Sequence, residues 1–94
     1  MIRIMADITD NPAAGRFELI EQGQTAYAEY RMTPGRMHID YVFSPTALRG
    51  AGTAGRLMQG VVDAARARSV KITPVCGYAA AWLKRHPETA DLQG

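Results

Sequence analysis

Two short stretches hold the residue types that chemistry would use: Arg49-Gly50-Ala51-Gly52-Thr53-Ala54, and Cys76 with Tyr78 two positions further on. A glycine-rich turn that opens a helix leaves backbone N–H groups unpaired at the positive end of the helix dipole, and together these attract a phosphate. Glycine also lets the phosphate approach the main chain closely. The stretch is not a P-loop, because no Gly-Lys-Ser or Gly-Lys-Thr follows, and it is one glycine short of a dinucleotide fingerprint. Nucleotide hydrolysis and hydride transfer therefore lose support. The competing reading is a tight entry into a helix that needs its two glycines for the backbone alone. Cys76 stands where a strand hands over to a helix, and Gly77 keeps that turn tight. There the dipole favours a thiolate, although a single cysteine also serves as a small buried hydrophobe. His38 and His86 have no Cys or His partners at ligand spacing, so no metal site is expected.

Elements must position these residues, and the Pro and Gly clusters mark where they begin. Asn11-Pro12-Ala13-Ala14-Gly15, Gln22-Gly23-Gln24 and Thr33-Pro34-Gly35 each precede a short segment, which predicts a meander. Arg16 to Glu21 and Thr25 to Met32 alternate as half-buried strands, with Ile20 off the pattern. Arg36 to Phe43 predicts a third strand, with Met37, Ile39, Tyr41 and Phe43 on one face and His38, Asp40 and Val42 on the other; Ser44-Pro45 ends it. Beyond the glycine-rich turn, Ala54, Leu57, Met58, Val61, Val62 and Ala65 recur at helical spacing through Arg68. Val70 to Val75 reads as a strand parallel to the third, because a crossover helix separates the two. Tyr78 to Arg85 predicts a second helix that stops at His86-Pro87, with Trp82 and Leu83 as core contacts, and the last residues read as a tail. The order β-β-β-α-β-α makes an α+β fold: a small mixed sheet, built as an antiparallel meander plus one parallel strand after a crossover helix, with two helices packed against it.

Ninety-four residues predict one domain over 1–94, with a modest core, so a ligand site in it must rely on backbone groups. The hydrophobic share of 47% and charged share of 21% place the chain among globular proteins rather than disordered ones. Eleven basic against nine acidic residues is no clustered excess, and no stacking aromatics interleave with the basic residues, so no nucleic-acid partner is expected. The longest apolar run, Tyr78 to Leu83, is far short of a membrane span. A lone cysteine cannot form an internal disulfide, and the first seven residues lack a signal-like apolar run; both point to a cytoplasmic protein.

From about Ile8 to Leu92 the chain resembles the GNAT superfamily of acyl-CoA-dependent N-acetyltransferases, and within it the small GNAT-like family of minimal acetyltransferase cores. Arg49-x-x-Gly52-x-Ala54 after a strand is similar to the superfamily's pyrophosphate motif. Arg16-Phe17-Glu18-Leu19, Ala28-Glu29-Tyr30, Ser44-Pro45, Ala64-Ala65-Arg66, Lys71-Ile72-x-Pro74-x-Cys76-x-Tyr78 and His86-Pro87-Glu88 match it in order and spacing. The resemblance implies acetyl-CoA, or coenzyme A, bound in the splay between the third strand and the parallel strand. Arg49, Gly50, Ala51, Gly52, Thr53 and Ala54 would hold the pyrophosphate, and the backbone of Val42, Phe43 and Ser44 the pantetheine arm. It also implies two candidate catalytic residues: Cys76 as an acyl acceptor, and Tyr78 as the acid that reprotonates the leaving thiolate. The chain departs from its relatives at Tyr41, where many carry a histidine, and at Gly77, where proline often follows the cysteine. The expected activity is acetyl transfer to an amine whose identity the sequence leaves open: a protein lysine, an N-terminus or a small amine. The alternative is a CoA-binding module without turnover, which needs no base and so suits Tyr41.

Overall fold

A computed structural model of the chain describes residues 2–5, by their backbone alone, and residues 8–93. Six strands form one sheet in sequence order: β1 (Ile2–Met5), β2 (Ile8–Asn11), β3 (Arg16–Glu21), β4 (Gln24–Thr33), β5 (Arg36–Phe43) and β6 (Lys71–Pro74). Neighbouring strands run antiparallel from β1 to β5, and β6 joins β5 in parallel after the helix α1 (Thr53–Ala67). The predicted meander and crossover are therefore present. The two N-terminal strands are additions that the sequence reading did not contain. A second helix, α2 (Gly77–Lys84), follows β6, and 3₁₀ turns cover Thr46–Leu48 and Pro87–Leu92.

The core lies between one sheet face and the helices. Phe17 and Leu19 from β3, Ala26 and Ala28 from β4, and Met37 and Ile39 from β5 meet Leu57, Met58, Val61 and Val62 of α1. Small residues let α1 settle close to the sheet: a Cβ added at Gly60 would come within 2.3 Å of the Ile8 side chain. From α2, Ala79, Trp82 and Leu83 join the same cluster. The C-terminal residues are no tail. Thr89 and Leu92 are buried, and Arg66 holds the segment by bonds to the Glu88 carbonyl at 2.9 Å and the Asp91 carboxylate at 3.0 Å.

The face assignment for β5 needs a second correction. Glu29 pairs with Tyr41 while Tyr30 pairs with Ile39, so Asp40 is an extra residue on β5, a β-bulge. One inserted residue reverses the alternation of the side chains that follow it. Met37 and Ile39 face the helices as expected, but Tyr41 and Phe43 turn to the outer face, where they lie against Tyr27 with ring centroids 6.3 and 5.1 Å away. Val42 takes the inner face and packs on the core.

Candidate functional site

The bulge sits where β5 and β6 part. Their register ends at Ile39 opposite Pro74, and the Ile39 carbonyl accepts the N–H groups of both Val75 and Cys76, at 3.0 and 2.9 Å. Beyond it, β5 runs on to Phe43 with no strand on that side among the described residues, because β6 has already turned into α2. An interior strand thus becomes an edge for its last four residues, offering peptide groups to whatever lies alongside.

At the far end of that edge the chain makes the 3₁₀ turn Thr46–Leu48 and enters the glycine-rich loop. Gly50 and Gly52 adopt φ of +83° and +79°, left-handed values that favour glycine. Gly52 is the N-cap of α1 and supplies no side-chain cap, so the first N–H groups of the helix are left to other partners. The loop and the strand edge face each other across a cleft of about 570 Å³, with Val42 and Ser44 on one wall and Arg49, Gly50, Gly52, Thr53 and Ala54 on the other. Tyr78, in the first turn of α2, completes the rim. Seven of the eight predicted residues just named thus come from stretches up to 12 positions apart, and Tyr78 joins them from across the β5–β6 gap.

Three predicted residues do not line that cleft: Ala51, Phe43 and Cys76. Ala51 is exposed on the loop, and the bulge sends the Phe43 ring to the outer face, leaving only its backbone at the open edge. Cys76 is half-buried against the core as the N-cap of α2. Ser44 shows a different signal. Its hydroxyl oxygen is buried without a hydrogen-bond partner, the one such side-chain atom found among the described residues.

The charge around the helix start is set by residues the sequence reading passed over. Arg56 donates from Nε to Glu21 at 2.8 Å and from Nη2 at 2.7 Å, a two-pronged pair, while Thr53 donates its hydroxyl to the same carboxylate at 2.6 Å. The Arg56 and then the Thr53 bonds hold the Glu21 carboxyl below its usual range, so it stays ionised and cancels the Arg56 charge. The Thr53 hydroxyl is consequently engaged, which leaves its N–H as the group free for an anion. Arg49 is exposed, and no ion pair engages its guanidinium among the described residues. The cleft therefore combines one free cation, a helix start and bare glycine backbone, a set suited to a phosphate ester with an extended polar arm. A pair such as Glu21 with Arg56, 35 positions apart, carries no local sequence signal.

Comparison with known proteins bears on the fold and the family. No curated protein sequence matches the chain. Among solved structures it resembles the NMR structure of a GCN5-like protein from Staphylococcus aureus, with a TM-score of 0.69 at 21% identity, covering 96% of this chain and 91% of that one. That likeness shows the α+β fold. The model of the GCN5-related N-acetyl-transferase family matches residues 16–92, which takes in β3 to β6, both helices and every residue of the cleft. The chain belongs to the GCN5-related N-acetyltransferase family.

Proposed function

We propose that the chain binds acetyl-CoA along the cleft and passes the acetyl group to a primary amine. The observation that carries this reading is the junction, in one cleft, of an anion-holding helix start with an unpaired strand edge. A nucleotide alone would need only the first. The main chain from Arg49 to Ala54 suits the pyrophosphate, and a Cβ at Gly52 would meet Arg56 Nη1 at 3.1 Å, so the loop is kept clear of side chains at its tightest point. The open edge of Val42, Phe43 and Ser44 suits the two amides of a pantetheine arm, paired as an added strand would be.

Bound there, acetyl-CoA supplies a thioester carbonyl open to attack by a neutral amine. Tyr78 lines the cleft and carries a phenol, whose Oη–H is the group suited to give a proton to the leaving sulfur. Asp40 is poorly suited as the base: Arg31 grips both its oxygens, at 2.6 and 2.9 Å, and that bonding holds its carboxyl below the ordinary range. Glu29, which lies outside the cleft lining on the exposed face of β4, is the carboxylate left open for the task. It is exposed, lies opposite Tyr41 beside the bulge, and makes no ion pair among the described residues. Direct transfer is favoured over a route through Cys76 because Tyr78 lines the cleft and Cys76 does not.

Release of free CoA thiol on incubation with acetyl-CoA and a panel of lysine peptides, N-terminal peptides and polyamines tests the reading. Saturable binding with no thiol release on any amine would favour the module without turnover, and a gain of one acetyl mass at Cys76 would restore the covalent route.

A further inference from the structure

Ser44 occupies the corner of the cleft between the open strand edge and the loop, two positions after Val42 and on the same wall. Its hydroxyl can donate one hydrogen bond and accept two, yet it makes none, and its oxygen is shut off from solvent. A buried hydroxyl without a partner carries its desolvation cost with nothing returned, so alanine would suit the ligand-free protein at least as well. The adjoining Pro45 narrows the backbone freedom of Ser44 to extended conformations, which fixes where its Cβ stands. An anchoring role requires Oγ to turn about χ1 toward the cleft, a rotation that breaks no hydrogen bond because Oγ makes none.

We infer that the Ser44 hydroxyl is a hydrogen-bonding anchor for the amide-bearing arm of the acyl-CoA, so that this atom separates ligands that carry pantetheine from nucleotides that do not. The inference rests on the acetyl-CoA reading above. Its chemistry follows from position: a phosphate held at Arg49 to Ala54 has the loop amides and needs nothing from Ser44, whereas an arm leaving the loop along β5 must pass this corner. An amide carbonyl can accept from Oγ–H and an amide N–H can donate to Oγ, so either orientation of the arm is served. Ser44 is thus a positioning residue for the ligand.

The test compares wild type and Ser44→Ala in titrations with acetyl-CoA and with 3′-phospho-ADP, the nucleotide half of CoA without the arm, alongside thermal unfolding of both proteins free of ligand. The expected result is a loss of about 5–10-fold in affinity for acetyl-CoA, unchanged affinity for 3′-phospho-ADP, and an unchanged or higher Tm for the free variant. Equal affinity for acetyl-CoA, equal loss on both ligands, or a lower Tm for free Ser44→Ala would each overturn the inference while leaving acetyl-CoA binding intact. A folded wild type that does not bind acetyl-CoA would overturn the acetyl-CoA reading itself, and the role of Ser44 with it.

Discussion

At the scale of single residues, the site divides its labour between bare backbone and a few fixed side chains. Tyr78 is the side chain whose loss should be felt in turnover rather than binding. Tyr78→Phe keeps the ring and removes the proton, so kcat should fall by about 100-fold or more while KM for acetyl-CoA stays within a few-fold; steady-state kinetics with the best amine checks it. Elsewhere a single residue stores strain. Ser69 sits just past the C-cap of α1 with φ of +56°, a left-handed position that glycine fills without penalty. Ser69→Gly should therefore stabilise the protein by about 0.5 kcal/mol, the relief of left-handed strain less the entropy glycine forfeits, read as a higher denaturant midpoint. The cleft's backbone half was legible in the sequence because Gly50 and Gly52 announce themselves by type and by their place before a helix. Glu21 and Arg56 were not, because an ion pair between β3 and α1 depends on the packing of the whole domain.

At the scale of elements, β5 does the most to make the site. It pairs with β4 along its full length, with β6 only as far as Ile39, and carries its bulge at that same point. Strand periodicity found β5 to the residue but placed Tyr41 and Phe43 on the wrong face, since a one-residue insertion leaves no mark in the alternation of Arg36 to Phe43. β2 escaped notice for a different reason. It is four residues long, and its inward Asp10 is polar and only 4% exposed. The explanation lies across the sheet: the Asp10 carboxylate accepts bonds from Tyr30 Oη at 2.7 Å and from Arg68 at the end of α1, and the Arg68 guanidinium stands over the Phe17 and Tyr30 rings. Removing one member strands the others, so Asp10→Ala should cost on the order of 3 kcal/mol, moderated because Arg68 is a third exposed. The closeness of α1 to β2 gives a second prediction. Gly60→Val would force its branch into Ile8, already 2.3 Å from an added Cβ, and should lower stability by about 1–3 kcal/mol in chemical denaturation.

At the scale of the whole molecule, the ion pairs set limits on the pH range of stability. Glu21, Asp40 and Asp91 are each held below their ordinary values chiefly by hydrogen bonds from Arg56, Arg31 and Arg66 respectively. A depressed carboxyl contributes stability that is complete above its unfolded value, 4.5 for Glu and 3.8 for Asp, and is lost as pH falls through the lower folded value. Tyr30 works in the opposite sense. Burial first, then its bond to Asp10, raises it above 10.0, so its contribution is complete below that pH and is lost as pH rises through the folded value. Thermal unfolding across pH 2 to 12 should show a plateau between about pH 5 and 10 that falls on both sides. No helix among the described residues is long and apolar enough to cross a membrane. Binding of acetyl-CoA by the glycine-rich loop and the open edge of β5 is the proposal on which the rest depends, and isothermal titration of wild type and Gly52→Glu tests it. The variant sets a carboxylate and its bulk against Arg56 at a left-handed position, and its circular dichroism and unfolding curve establish that it is folded. Saturable binding by wild type that folded Gly52→Glu loses is the predicted result; no binding by folded wild type, or equal binding by both proteins, would contradict it.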